Sequence, residues 1–292
     1  MAEEDRDLLR FLWYDQDGNL EVYRFTRVPF GAGPSPFLLN ATLKHHLESV
    51  VKDQSLLLLF LRSLYVDDVL TGGESVEFAL KLKEMLIEIM GEAAMELHGW
   101  NSNKLEVREK LTDVEQSDET VVLGMRWNRE RDDMGLNLDK ILALKVELAT
   151  KLRAPSKREL LRGTAQFFDP HGIYNPVLLV PKLLFQKVCR SKVKWDEPLP
   201  EEIAIEWMEW QSQLSVLERV RVQRHLLLPG HDRLELHGFS DASQSAYAAA
   251  VFIKSVRDEE CLINLLMCKN RVAPLKKLTI PRLELMGALS LA

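Results

Sequence analysis

Cysteine is scarce in this 292-residue sequence: Cys189, Cys261 and Cys268 are the only three, and their spacing fits no metal-ligand pattern. Cys261 and Cys268 lie in an apolar stretch, so they are expected as core residues in a reducing compartment. Long hydrophobic runs are missing. The run "LLLLFL" at 56–61 falls far short of the roughly 18 residues of a membrane span. The opening "MAEEDRDLL" is acidic and lacks the basic-then-apolar order of a secretory leader. A cytoplasmic or nuclear protein without membrane attachment is expected. A surplus of positive charge is missing too. The formal net charge is -6, which argues against coating nucleic acid through bulk charge but leaves room for a local basic groove. There are no internal repeats and no low-complexity tract.

What is present is a globular composition, 46% hydrophobic and 28% charged, in a length that suits about two domains. Basic residues gather in "KLRAPSKRELLR" (151–162), "RSKVK" (190–194), "RVRVQRH" (219–225) and "KNRVAPLKK" (269–277), each readable as a solvated face or a phosphate contact. "LLRFLWY" (8–14) and "LEVYRFTRV" (20–28) predict a hairpin turned by "DQDGN". After the Gly/Pro loop "PFGAGPSP" (29–36), Ser35 is expected to cap a helix with Pro36 at its first position. Phe37, Leu38, Ala41, Leu43 and Leu47 would line one side of it. "LLLLFLRSL" then leads as a strand into Tyr65–Asp68. Helical periodicity runs through 74–90, and short strands are expected near 95–100 and 120–128, with a turn at 129–135. From 139 to about 225 the pattern is helical, broken at "DPHGIYNP" (169–176) and "DEPLP" (196–200), with Trp207, Trp210 and Leu214 as core. Three strands at 234–243, 246–256 and 261–270 precede a final helix at 279–292.

The chemistry concentrates in "SLYVDDVL" (63–70), where Asp67 and Asp68 stand side by side in an apolar run. Neighbouring carboxylates repel, the more so when partly buried, and a divalent cation would relieve that. On a tight hairpin the pair would project from one end of a sheet and hold Mg²⁺, which takes oxygen ligands and leaves positions for phosphate. The plain alternative is a solvated turn, since aspartate is common in turns.

The surrounding words decide between these. "AEEDRDLLRFLW", "FTRVPFG", "SPFLLNATLKHHL", "YVDDVLTGGES", "LGMRWN", "FFDPHGIYNPV", "HGFSDASQSAYAAAV" and "RVAPLKKLTIPRLELMGAL" together resemble the BEL/Pao class of long-terminal-repeat retrotransposon polyproteins. The resemblance covers nearly the whole chain. It implies an α+β fold: an incomplete reverse-transcriptase palm over 1–138, a helical connector over 139–230 and an incomplete RNase H-like sheet over 231–292. It implies that "YVDD" is a polymerase hairpin, with Phe30, Gly31, Ser35, Pro36 and Tyr65 bordering nucleotide and template. It also implies that Asp241, on the first strand of the last sheet, and Glu284, on the following helix, are metal ligands for cleaving the RNA strand of a hybrid. The implied cofactor is Mg²⁺ or Mn²⁺. The implied partners are a primer-template or RNA/DNA hybrid and, for the parent enzyme, dNTPs. The segment after the palm is often labelled an aspartic peptidase in this class. Such an enzyme needs two facing Asp-Thr/Ser-Gly loops, and the sequence contains neither Asp-Thr-Gly nor Asp-Ser-Gly, so proteolysis is not expected.

The class pattern also calls for a further aspartate from a strand ahead of "AEEDRD" and another from a fourth strand beyond the final helix. These 292 residues include neither. Both metal sites are therefore expected to be half-built and the isolated chain inactive, because positioning and charge stabilisation supply most of the rate in phosphoryl transfer. The competing expectation is a non-catalytic nucleic-acid-binding or interaction protein that reuses the scaffold.

Overall fold

The computed structural model describes residues 2–110, 117–150 and 153–292. Lys151 and Leu152, at the head of the first basic cluster, lie outside the described residues. The chain is α+β and divides into two compact units, Met1–Trp100 with Lys104–Val114, and Asn101–Asn103 with Glu115–Ala292.

The first unit opens with a 3-10 helix, Glu3–Leu9, and the expected hairpin of β1 (Arg10–Tyr14) and β2 (Leu20–Arg24). The Asp15 carboxylate accepts from the Asp17 and Asn19 amides, and Gly18 takes the left-handed conformation at φ +83°, which closes the turn. Helix α1 (Ser35–Val50) follows, but Ser35 does not cap it. Ser35 is the first helical residue, and its hydroxyl donates to the Pro29 carbonyl at 2.8 Å. The buried stripe of α1 is Leu43 and Leu47, while Phe37 and Leu38 are exposed, contrary to expectation.

The run at 56–61 is a helix, not a strand: α2 spans Gln54–Ser63. The Asp53 carboxylate accepts from the Ser55 and Leu56 amides, an N-cap that starts a helix. Leu57, Phe60 and Ser63 then bury at three-residue spacing. Two-residue strands β3 (Leu64–Tyr65) and β4 (Asp68–Val69) come next, then α3 (Val76–Glu92) and the short α4 (Leu105–Arg108). No strand forms at 95–100. The core joins Leu43, Leu47 and Val51 to Leu57 and Phe60 of α2 and to Leu82, Leu86, Ile89 and Met90 of α3.

In the second unit, β5 (Glu119–Val122), β6 (Met125–Asn128), β7 (Asp133–Leu136) and β8 (Val222–Gln223) form an antiparallel sheet in that order. The stretch at 120–128 is thus two strands, turned at Leu123–Gly124, both with positive φ. Strand β8 lies where helix was expected. Between β7 and β8 run α5 (Asp139–Ala149), α6 (Lys157–Ala165), α7 (Asn175–Arg190), α8 (Glu201–Ser212) and a 3-10 turn, Leu214–Arg219. Trp207, Trp210 and Leu214 are buried in their core, as the stripe predicted. Pro181 interrupts α7 and cannot donate to the Val177 carbonyl, and the Trp210 indole N–H donates there instead at 3.1 Å. The second sheet, in order β11-β10-β9, consists of β9 (Arg233–Ala242), β10 (Ala246–Arg257) and β11 (Glu260–Val272), and α9 (Ile280–Leu291) packs on β9 and β10. Cys261, expected in the core, is exposed, because it sits at the hairpin end of β11.

Asp132 holds the turn between β6 and β7. Arg224 grips it with two hydrogen bonds, at 2.6 and 2.7 Å, and the Trp127 indole and Asn103 amide also donate to it. Burial pushes this carboxyl up, but the donors prevail and hold it below the ordinary 3.8. Its stabilising contribution is therefore full above that value and lost as the pH falls through the lower folded one. Asp169 runs the other way. Burial raises its carboxyl above 3.8 against the pull of backbone donors, so the folded chain keeps that proton in the window just above 3.8. Carboxyl carbon titration by NMR should find the Asp132 midpoint below 3.8 and that of Asp169 above it. The reverse order would refute the assignment of these donors.

Candidate functional site

The Asp67–Asp68 hairpin forms where α2 runs out. Tyr65 pairs with Asp68 and Leu64 with Val69, which leaves Val66 and Asp67 as the turn, Val66 at φ +55°. The hairpin itself is as expected. Both aspartates are exposed, and both line a hollow of about 140 Å³. Leu39 and Leu43 of α1, Met90 of α3 and the irregular segment Met95–Leu97 complete its wall. Glu96 is a third carboxylate on that wall, and sequence reasoning missed it; "MELHGW" was legible only as a short strand. Phe30, Gly31, Ser35, Pro36 and Tyr65 do not line the hollow. Phe30 is fully exposed, Gly31 bends the loop at φ +82°, and Pro36 occupies the first turn of the helix that supplies Leu39 and Leu43.

Asp241 lies near the end of β9, opposite Ala248 of β10, and its carboxylate accepts from the Ala242 amide at 2.9 Å. Glu284 lies on α9, one turn ahead of Gly287. Gly287 sits on the β9–β10 backbone: a Cβ there would stand 3.4 Å from the Asp241 carbonyl oxygen and 3.5 Å from that of Ala248. Leu283, beside Glu284, is buried with Tyr247 and Ala273. The sequence pattern placed Asp241 on a strand and Glu284 on the helix after the third strand. The structure puts those two segments in direct contact.

Among the described residues, no three His, Cys, Asp or Glu side chains come together in a way that could hold a metal ion. One or two carboxylates suffice for a single Mg²⁺ that keeps waters and shares phosphate oxygens. A two-ion arrangement asks for more ligands than the described residues bring together. Carboxylate oxygens, the donors present at each place, are of the kind that Mg²⁺ takes.

The segment "DPHGIYNP" does what no pattern announced. The Asp169 carboxylate accepts from the Ile173 and Tyr174 amides, at 3.1 and 2.9 Å, and shapes a loop in which Gly172 takes φ +72°. That loop and α7 grip β11. The Cys268 amide donates to the His171 carbonyl at 2.7 Å, and the Asn175 amide donates to the Cys268 carbonyl at 2.7 Å. Lys182 donates to Asn270, and Gln186 donates to the Ala273 carbonyl. Desolvation in this seam lowers the Lys182 ammonium below its ordinary value. The grip covers the edge of β11, which would otherwise offer unpaired backbone groups.

Most of the basic clusters are spent internally. Arg153 pairs with Glu159, Arg158 with Asp196, Arg162 with Glu147 and Lys194 with Glu197. Lys157 lies over the Trp195 ring. Arg221 pairs with Glu119 and Asp133, and Arg224 with Asp132.

Against known proteins, a family model described as the Pao retrotransposon-like RNaseH-like domain matches residues 156–292. The match supports a Pao-class retrotransposon RNase H-like region across that stretch, and at a coarse level a fragment of a retrotransposon Pol protein. It takes in α6, α7 and α8 as well as the sheet that α7 grips. No curated protein matches the chain.

Proposed function

We propose that this chain derives from a polymerase–nuclease of a Pao-class retrotransposon, with Asp241 and Glu284 as two ligands of a ribonuclease H-type Mg²⁺ site. The contact of Gly287 with the Asp241 backbone, inside the matched region, carries this reading, because it joins the two carboxylate-bearing segments. Asp67 and Asp68 are, on the same reading, the carboxylates of a polymerase hairpin, with Phe30, Gly31, Ser35, Pro36 and Tyr65 toward nucleotide and template. The parent reactions are template-directed DNA synthesis and cleavage of the RNA strand of a hybrid. A bound Mg²⁺ or Mn²⁺ would supply charge stabilisation at the phosphate. The chain's own carboxylates would orient that ion and accept its charge.

The chain is expected to hold such an ion weakly and to turn over neither substrate, since among the described residues each place assembles too few ligands for two ions. Paramagnetic broadening by Mn²⁺ tests the assignment without activity. Millimolar Mn²⁺ should broaden resonances around Asp241 and Glu284, and Asp241→Asn should abolish this. Broadening confined to other regions would remove the assignment. Primer extension or hybrid cleavage above background by this chain, in either metal, would overturn its inactivity.

A second reading, a nucleic-acid-binding protein that does not turn over, is favoured by the exposed basic residues Lys269, Arg271, Lys276 and Lys277, which need no metal to meet phosphate. It predicts binding that weakens with salt. An isotherm indifferent to salt would count against it.

A further inference from the structure

The last of the basic clusters differs from the other three. Lys269, Arg271, Lys276 and Lys277 are exposed and find no ion-pair partner among the described residues, although Arg or Lys in each other cluster do. The local charge is also unlike that of the whole. Residues 261–292 hold five basic side chains (the four above and Arg282) against one acid, Glu284, in a chain of net charge -6.

The register gathers them. Arg271 pairs with Tyr247 and Lys269 with Ala249 across the β10–β11 ladder, and directly opposed residues share a face. Tyr247 and Ala249 are buried, Tyr247 in the cluster that includes Leu283 of α9, so this is the face that carries α9. Lys269 and Arg271 therefore flank α9 on the outer strand. Lys276 and Lys277 lie in the loop from β11 to α9, and Arg282 lies in the first turn of that helix. Alternate strand residues stand roughly 7 Å apart, comparable to successive phosphates along one nucleic-acid strand. The outer edge of β11 is taken by α7 and the loop before it, through Asn175, Lys182 and Gln186, while Lys269 and Arg271 stay exposed beside α9.

We propose that Lys269, Arg271, Lys276 and Lys277 form a phosphate-tracking ridge that binds the backbone of nucleic acid independently of any metal. This rests on the nucleic-acid reading above, but it requires neither carboxylate pair. An acidic protein is the other class of polyanion. Nucleic acid is favoured because Lys269 and Arg271, at alternate positions of one strand, match the spacing of successive phosphates, and Lys276 and Lys277 extend the positive charge along the following loop.

The test is fluorescence anisotropy of a labelled RNA/DNA hybrid with the full chain, in EDTA, from 50 to 200 mM salt. The variant carries Lys269→Ala, Arg271→Ala, Lys276→Ala and Lys277→Ala. The control removes four other exposed charges of the same unit, by Lys140→Ala, Arg190→Ala, Lys192→Ala and Arg219→Ala. Each lost phosphate contact lowers the slope of log affinity against log salt by about 0.7–0.9, so the ridge variant should lose roughly 3 units of slope and more than tenfold in affinity. The control should lose little. Equal losses in both variants, or no hybrid binding by the parent chain, would overturn the proposal. Equal, ridge-dependent binding of polyglutamate would also overturn it and assign the surface to acidic protein. None of these outcomes touches the Mn²⁺ experiment, so the metal reading stands or falls separately.

Discussion

Gly172→Ala is expected to unfold the sheet that carries Asp241 at a denaturant concentration well below the parent's. A Cβ at this position would stand 1.8 Å from the Cys268 carbonyl oxygen and 2.4 Å from the Asn175 amide nitrogen. The first of these is backbone and cannot swing aside. The residue also sits at φ +72°, where a non-glycine side chain costs about 1–3 kcal/mol by itself. To relieve the clash the loop must lift from β11, which breaks the Cys268–His171 and Asn175–Cys268 hydrogen bonds. Leaving such groups unmet adds about 1–3 kcal/mol each, so the total should reach about 4 kcal/mol or more. Urea unfolding followed by tryptophan fluorescence, with hydrogen exchange at the Cys268 amide, measures it. Gly230→Ala is the matched control: it lies in the same unit at φ +64°, with nothing within 4 Å of its would-be Cβ. It feels the strain without the clash. If both variants cost the same, the close approach is not what holds loop and strand together.

That seam also shows where sequence reading runs out. Strands β9 to β11 and α9 were legible because alternation and helical stripes are local signals, and Asp241 and Glu284 could be placed on them. The Asp67–Asp68 turn was legible for the same reason. The run at 56–61 misled, because a short apolar stretch has no period of its own; the Asp53 cap, just ahead of it, was the signal to weigh. Glu96 was invisible because the segment that brings it to the hollow has no regular structure. The grip of Asn175 on Cys268 joins residues more than ninety positions apart, and nothing in either stretch names the other. The basic clusters were equal as text. Only the pairing of Arg158, Arg221 and Arg224 with acids far along the chain separates them from Lys269 and Arg271.

Tyr174→Phe should cost about 2–4 kcal/mol although it removes a single oxygen. Tyr174 is 2% exposed, and burial raises its phenol above the ordinary range, so it stays neutral and donates. It donates to the Val220 carbonyl at 2.7 Å and accepts from the Leu136 amide at 3.2 Å. Those two backbone groups belong to segments that need a fixed point. Leu136 ends β7, and Val220 precedes β8, which pairs with β7 through only two residues. Phenylalanine keeps the ring and its packing against the helical core, so no cavity opens and the loss is that of a buried donor and acceptor left without partners. Because the same loop that bears Gly172 positions Tyr174, the phenol ties the β5–β8 sheet to the grip on β11. Hydrogen exchange should speed up at Leu136 in the variant, while near-ultraviolet dichroism from the Trp207–Trp210 pair stays as in the parent. A loss under about 0.5 kcal/mol, within the range of an ordinary surface change, would mean that water or a neighbouring group replaces the phenol and that the two sheets are joined some other way.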